Sequence, residues 1–239
     1  MNPLNELNEK FVALEGQLKQ MADQLRALRE LPSTPLEIRR LAAQDCAKYV
    51  FENYPAVGVM QHRHQTLDAA VRMADDEGLY VEFGVHTGGT ITSTAKKKPH
   101  LKIWGFDSFE GLPENWSGAG KMKGAFSLGG QMPEVPDNVT LVKGWFDETI
   151  PKWKAEHEGP ISYCHIDCDL YSSTATVFTE LEDRFRPGTI LLFDDYFGYA
   201  DWRNGEHKAF MEMLERTGFD YEAQAVSHMA LVVKLTERS

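Results

Sequence analysis

The chain has 239 residues, of which 42% are hydrophobic and 26% charged, and its formal net charge is −11. These values suit a globular protein with one sizeable domain plus an appendage. A nucleic-acid binder is disfavoured, because no basic run exceeds Lys96–Lys98. We expect a cytoplasmic protein, since we see neither a secretory signal nor an apolar run near the ~18 residues of a membrane span. An odd number of cysteines, Cys46, Cys164 and Cys168, predicts reduced, buried thiols.

The first segment carries an apolar repeat that is typical of a coiled coil. Hydrophobic residues alternate in spacings of three and four at Leu4, Leu7, Phe11, Leu14, Leu18, Met21, Leu25 and Leu28. So narrow a stripe favours a seam between helices over a broad core-facing surface. We therefore predict that residues 1–31 form a coiled-coil oligomerisation helix and that the chain is a homo-oligomer. A single amphipathic helix packed on its own domain is the alternative.

The rest of the chain has the pattern of an α/β domain. Residues 32–59 form a helical linker on the substrate side, followed by a main domain over residues 60–239. From residue 79 onward, helical patterns alternate with the candidate strands LYVEFGV, LKIWGFD, VTLVKG, ISYCHID and TILLFDD. This alternation predicts a mainly parallel, doubly wound sheet. Two last runs, FDYEAQAV and HMALVVKLT, are close enough in sequence to form an antiparallel hairpin.

The residues that can carry chemistry fall at strand ends, where open α/β sheets bind ligands. The stretch EFGVHTGGT places Glu82, Gly84, Thr87 and Gly88 in a tight turn that lacks the phosphate-binding glycine patterns. Asp107 ends the second candidate strand, where a carboxylate can accept hydrogen bonds from ribose hydroxyls. Glu82 suits a cationic amino acid group, so these residues together predict S-adenosylmethionine as the cofactor. A helix cap is the alternative for Asp107.

Carboxylates also end the fourth and fifth candidate strands, at Asp167, Asp194 and Asp195. Neighbouring parallel strands bring them together, and clustered anions raise each other's pKa unless a cation compensates. We see no histidine or cysteine ligand and take His165 for a packed strand residue, so hard oxygen ligands favour Mg²⁺ or another divalent cation. Asp169, outside that metal shell, suits a general base. Helix caps and ion pairs are the alternatives for these aspartates.

These motifs resemble the macrocin O-methyltransferase family. The stretches YVEFGVHTGGT, GFDSFEGLPE, KGWFDETIP, HIDCDLYSST and LLFDDY occur here in that family's order, over roughly residues 60–235. The resemblance implies a class I methyltransferase with a Rossmann-like, seven-stranded sheet whose last strand is antiparallel. It also implies S-adenosylmethionine as the methyl donor, Mg²⁺ on Asp167, Asp194 and Asp195, and Asp169 as the general base.

The resemblance further implies where the methyl donor binds. Its site residues are expected at Glu82, Gly84, Thr87, Gly88, Asp107, Ser108 and Asp167. Trp145 or Phe146 is expected to supply an apolar wall near adenine, and the glycine-rich segment after Leu112 resembles a mobile lid. Four heptads are not a feature that we associate with the antibiotic-tailoring members of the family.

The sequence thus predicts a Mg²⁺-dependent O-methyltransferase. It would move a methyl group from S-adenosylmethionine to a hydroxyl of a sugar, a glycosylated natural product or a surface glycan. One alternative is a non-catalytic oligomeric scaffold that keeps the methyltransferase fold. Another is a nicotinamide-dependent oxidoreductase, which would lack its glycine fingerprint and leave the acidic cluster unexplained.

Overall fold

A computed structural model describes residues 10–12, 14–23 and 33–238. Packing divides the chain into two units, Met1–Ile38 and Arg39–Ser239. In the first unit, residues 10–12 and 14–23 are helical, and the heptad positions among them, Phe11, Leu14, Leu18 and Met21, are exposed. The other heptad positions lie outside the described residues. The coiled coil, the predicted domain boundaries and the homo-oligomer therefore stay predictions.

The second unit is built on an eight-stranded sheet. Its strands are β1 (Gly58–Val59), β2 (Leu79–Phe83), β3 (Ile103–Asp107), β4 (Val139–Lys143), β5 (Ile161–Ile166), β6 (Ile190–Phe193), β7 (Asp220–Val226) and β8 (Leu231–Thr236). Their order across the sheet is β1-β7-β8-β6-β5-β2-β3-β4. Among the strands described, only β8 is antiparallel to both of its neighbours.

The predicted sheet is confirmed, with one difference in the number of strands. All seven strands indicated by the sequence are present, and β7 and β8 form the expected antiparallel pair. The eighth strand is β1, whose two residues pair in parallel with β7 through Gly58 to Ala225 and Val59 to Val226. Two residues are too few to show an alternation of apolar and polar positions, so no sequence pattern indicates this strand.

Helices cover the sheet and complete the fold. They are α1 (Thr34–Asn53), α2 (Arg63–Met73), α3 (Gly89–Lys97), α4 (Phe146–Glu156), α5 (Tyr171–Leu181) and α6 (Glu206–Thr217). All six residues of β5 are buried, as expected of a central parallel strand with helices on both faces. In the described ranges no helix is long and apolar enough to cross a membrane.

The glycine-rich segment after β3 is an internally bonded loop. Within residues 108–138, the Leu112 N–H donates to the carbonyl oxygen of Ala125 at 3.0 Å. The Ser172 hydroxyl at the start of α5 donates to Glu114 Oε1 at 2.6 Å. These bonds give the loop a defined conformation against α5, while its predicted role as a mobile lid stays a prediction.

Candidate active site

A cavity of about 640 Å³ opens where β2, β3, β4, β5 and β6 end. Most of the residues that the sequence singled out line it, at the edge where open α/β sheets generally bind ligands. These lining residues are Gly84, Asp107, Ser108, Trp145, Phe146, Asp167, Asp169, Asp194 and Asp195. Three predicted donor-site residues, Glu82, Thr87 and Gly88, are not part of the lining.

Gly84 lets two strand ends approach each other closely. Its φ is +91°, and a Cβ at this position would overlap the backbone carbonyl oxygen of Asp167. The Asp167 N–H in turn donates to the carbonyl oxygen of Phe83 at 2.8 Å. Gly84 is therefore needed for Asp167, which follows β5, to lie beside the end of β2.

We expect Gly84→Ala to destabilise the protein. The left-handed φ alone costs an alanine about 1–2 kcal/mol, and the overlap with the backbone of Asp167 adds to that cost. Urea unfolding followed by circular dichroism would measure the loss. The matched control is Gly89→Ala at the start of α3, where a Cβ meets nothing within 4 Å. Equal stability of the two variants would contradict this account of Gly84.

Glu82 is buried beside the cavity with both carboxylate oxygens engaged. The Thr90 hydroxyl donates to Oε1 at 2.7 Å, and His165 Nδ1 lies 3.0 Å from Oε2. Thr87 is exposed in the turn, and Gly88 caps α3 with a φ of +80°. Direct contacts of these three residues with a methyl donor stay predictions.

Asp107 lies at the end of the cavity where the methyl donor is predicted to bind, called the donor end below. It organises the backbone there through hydrogen bonds. Its Oδ2 accepts from the N–H groups of Val85 and His86 at 2.9 and 2.8 Å, and its Oδ1 accepts from the Phe109 N–H at 2.7 Å. Each carboxylate oxygen has two acceptor positions, so Oδ2 is filled and Oδ1 keeps one position for a ligand.

Ser108, Trp145 and Phe146 line the same end of the cavity. The Ser108 Oγ accepts from the Glu110 N–H at 3.1 Å, which fixes the start of the loop after β3. Trp145 caps α4, and the Phe146 ring packs edge-on against Phe83 with centroids 5.4 Å apart. The two rings give this end of the cavity an apolar wall.

Of the three aspartates predicted to meet at the ends of β5 and β6, Asp167 and Asp194 come together, while the Asp195 carboxyl pairs with that of Asp169. The Asp194 N–H donates to the carbonyl oxygen of Ile166 at 2.9 Å, so the ladder between the two strands extends to the acidic residues. Asp194 and Asp195 are only 7% and 9% exposed, and Asp167 lies across from them. So many carboxylates in so little solvent favour either bound protons or a nearby cation.

Asp169 reaches the cavity through a turn and not through strand alternation. Strand β5 ends at Ile166, and the Leu170 N–H donates to the carbonyl oxygen of Cys168 at 2.7 Å. This i→i+2 bond makes Asp169 the centre of a γ-turn with φ +65°. Such a turn is rare and strained, and strain of this kind clusters at functional sites.

The environment of the cluster raises the pKa values of Asp167, Asp169 and Asp195. Burial and then the charge of Asp194 raise the pKa of Asp167 to about 8. Burial and then Asp167 raise the pKa of Asp169 to about 7. Burial, followed by Asp169 and Asp194, raises the pKa of Asp195 well above its usual value. The cluster therefore holds protons near neutral pH unless further positive charge is supplied.

Arg63 is a cavity residue that the sequence analysis missed. Its Nη2 donates to Asp167 Oδ2 at 2.6 Å, and its Nε lies 2.5 Å from Asp194 Oδ1. The arginine begins α2 and is 104 positions from Asp167 along the chain. No motif spacing connects residues so far apart, so only the fold reveals the contact.

Two further buried side chains near the aspartates were not predicted as site residues. Glu206, the first residue of α6, accepts the Asp195 N–H at 3.3 Å, and burial raises its pKa well above the usual value. His165 was expected only to pack within its strand. One of its ring nitrogens, one oxygen of Asp167 and one of Asp194 lie within 4.8 Å of one another.

The donor set around these aspartates fits a divalent cation. Carboxylate oxygens are the hard ligands that Mg²⁺ and Mn²⁺ prefer. His165 Nε2 is buried and has no hydrogen-bond partner among the described residues, while its Nδ1 faces Glu82. A carboxylate behind an imidazole is the usual support of a metal-ligating histidine. The residues present therefore suit a metal ion, and Arg63 occupies two of the oxygens that would bind it.

Comparison with known proteins supports a methyltransferase assignment. Residues 81–196 match a family described as "Methyltransferase domain". The chain is 30% identical over 141 residues to the 8-demethyl-8-(2,3-dimethoxy-alpha-L-rhamnosyl)-tetracenomycin-C 4'-O-methyltransferase of Streptomyces olivaceus. That alignment covers 50% of this chain and 53% of the relative, so the chain matches about half of the relative's length.

Solved structures share the fold at low sequence identity. CalS11, a calicheamicin methyltransferase, superposes with a TM-score of 0.59 at 22% identity, over 85% of this chain and 94% of that one. Its apo structure, described as that of a TDP-rhamnose 3'-O-methyltransferase, gives a TM-score of 0.53 over 85% and 96% of the two chains. The O-methyltransferase NovP gives 0.54 at 20% identity, over 72% and 80%.

These matches agree with the resemblance drawn from the sequence motifs. The matched segment runs from β2 to just beyond Asp194 and Asp195, so it contains most of the cavity lining. The superposition with CalS11 covers 85% of this chain, so the similarity in fold extends beyond the matched segment. Residues 81–196 are thus similar to a methyltransferase domain, and the second unit has the Rossmann-like class I methyltransferase fold.

Proposed function

We propose that this protein is an S-adenosylmethionine-dependent O-methyltransferase that uses a divalent cation, with Mg²⁺ as the expected ion, to methylate a hydroxyl of a sugar or a glycosylated natural product. The observation that carries this proposal is the cluster of Asp167, Asp169, Asp194 and Asp195 in one cavity with the donor-site candidates. An oxidoreductase or an inactive scaffold would have no use for such a cluster.

The donor end of the cavity has the features expected of a nucleoside site. Asp107 Oδ1 offers one free acceptor position for a ribose hydroxyl, and Trp145 and Phe146 offer an apolar surface to a base. Gly84 brings the end of β2 close to Asp167. S-adenosylmethionine would supply an activated methyl group here. The chain's own contribution is to fix the orientation of that group toward the aspartates.

Asp167, Asp194 and Asp195 would hold the divalent cation. When bound, the ion would supply Lewis-acid polarisation of the acceptor hydroxyl. The side chain of Asp169 would accept the hydroxyl proton as general base, because it lines the same cavity and has a pKa near neutral pH. A pKa close to the working pH gives a base that is both deprotonated and strong enough to act.

The charge of the cavity favours an uncharged acceptor. Its acidic lining residues are Asp107, Asp147, Glu148, Asp167, Asp169, Asp194 and Asp195. Within the described part of the chain, the arginine or lysine side chain lining it is that of Arg63. A diphosphate would meet repulsion there. We therefore favour a neutral glycoside over a nucleotide-activated sugar such as the TDP-rhamnose in the description of CalS11.

The test is a methyl-transfer assay with the full-length chain, Mg²⁺ and S-adenosylmethionine. A panel of neutral rhamnosides and glycosylated aromatic polyketides is compared with TDP-rhamnose, and mass spectrometry detects the added methyl group. We expect transfer to neutral glycosides at rates at least roughly tenfold above those with the nucleotide sugar. Calorimetric titration that detects NAD binding but no S-adenosylmethionine binding would reject the proposed reaction.

A further inference from the structure

The guanidinium of Arg63 bridges the ends of two strands. Nη2 contacts Asp167 at the end of β5 at 2.6 Å, and Nε contacts Asp194 at the end of β6 at 2.5 Å. Arginine keeps its charge at any pH that a protein tolerates. Arg63 thus supplies, from the chain itself, the positive charge that the clustered carboxylates need.

The side chain of Arg63 can leave this position without disturbing the core. It is 52% exposed, whereas the side chains of Asp167 and Asp194 are 21% and 9% exposed. The backbone at the start of α2 is anchored separately. Met60 donates its N–H to the carbonyl oxygen of Val226 at 2.7 Å, and Gln65 Oε1 accepts from two N–H groups just before the helix. A change of Arg63 rotamer therefore requires no movement of α2.

Arg63 and a divalent cation would compete for the same atoms. Asp167 Oδ2 and Asp194 Oδ1 are both engaged by the guanidinium. Two cations on neighbouring oxygens repel each other strongly when the surroundings are poor in water. Binding of a metal ion is therefore coupled unfavourably to the Arg63 contacts, and coupling of this kind is reciprocal.

We propose that Arg63 is a resident counter-ion, which neutralises Asp167 and Asp194 in the metal-free protein and is displaced when a divalent cation binds. This inference rests on the proposed function, since it takes the aspartates as the ligands of the ion. Arg63 is a positioning residue in this scheme. It keeps the metal-free cluster stable and sets the ion concentration at which the site fills.

The experiment measures Mn²⁺ binding to the full-length protein by titration calorimetry and by electron paramagnetic resonance, without donor or acceptor. We expect Arg63→Met to bind Mn²⁺ about tenfold more tightly than the wild type, since the variant has no competitor to displace. The melting temperature of metal-free Arg63→Met should fall, and added Mn²⁺ should raise it more than in the wild type.

Two further variants make the result specific. Arg63→Lys keeps a cation but loses the bidentate geometry, so its dissociation constant should lie between those of the wild type and Arg63→Met. Arg72→Met removes an exposed arginine from the last turn of the same helix, outside the cavity lining. It should change neither the affinity for Mn²⁺ nor the melting temperature.

The outcomes separate this inference from the proposed function. If the wild type binds Mn²⁺ and Arg63→Met binds it equally or more weakly, the counter-ion role is wrong while the metal requirement stands. If neither protein binds Mn²⁺ or Mg²⁺ at millimolar concentration, the metal requirement itself is wrong, and the inference falls with it. Tighter binding together with a lower metal-free melting temperature supports the inference.

Discussion

Asp194→Asn is expected to lower methyl transfer by at least about 10²-fold, because it removes one charged ligand from the proposed metal site. The affinity for Mg²⁺ should fall at least roughly tenfold. The fold should survive, because the ladder bond to Ile166 is made by the Asp194 backbone N–H and asparagine keeps the shape of the side chain. Steady-state kinetics over a range of Mg²⁺ concentrations would measure both effects.

The matched control for Asp194→Asn is Glu215→Gln. Glu215 is an exposed acid on α6 outside the cavity lining, so its neutralisation should leave kcat and the Mg²⁺ dependence unchanged. Circular dichroism and a cooperative unfolding transition would show that both variants are folded. If Asp194→Asn keeps its full rate, or if the wild type works equally well in excess chelator, the acidic cluster is not a catalytic metal site.

Asp169→Asn is expected to reduce kcat by about 10²–10⁴-fold while the dissociation constant of S-adenosylmethionine stays unchanged. Asparagine tolerates the left-handed backbone that Asp169 adopts at φ +65°, so the γ-turn should persist. What the variant loses is the group that takes the proton from the acceptor. Stopped-assay kinetics at saturating Mg²⁺, with calorimetry for the donor, separates these two quantities.

The pH profile gives a second readout for Asp169. Burial and Asp167 raise the pKa of Asp169 to about 7, so in the absence of other charge the base is protonated below that pH. The wild-type rate should therefore fall as the pH drops through the pKa of Asp169. A bound divalent cation would lower the pH at which this fall in rate occurs. The fall should be missing in Asp169→Asn. An unchanged rate and profile in the variant would assign the proton transfer to another group.

The sequence predicted the sheet and the acidic cluster because both follow from local patterns. Apolar runs separated by helical periodicity define β2 to β6, and a carboxylate after such a run must lie at the sheet edge. This local pattern was enough to predict that Asp167, Asp194 and Asp195 lie at that edge. Strand β1 escaped prediction because its pairing with β7 joins residues more than 160 positions apart through only two residues.

Arg63 and His165 show where inference from the sequence stops. Arg63 stands in the polar stretch HRHQT, and nothing in that stretch encodes its distance from Asp167. His165 has apolar neighbours in its strand and so resembles a packing residue, yet its imidazole faces Glu82 and the aspartates. Both contacts depend on side-chain direction between distant segments, which periodicity does not report. Asp169 is positioned by a γ-turn, which periodicity does not report either.

The short β1 strand affects how the protein meets other copies of itself. Exposed sheet borders with free peptide groups invite a foreign strand to pair, and proteins protect them with short or irregular segments. Gly58–Val59 covers the border of β7 and exposes only a two-residue stretch of its own. Strand addition at that border is therefore an unfavourable route to self-association. A crowded solution of this protein should resist fibril growth from that side.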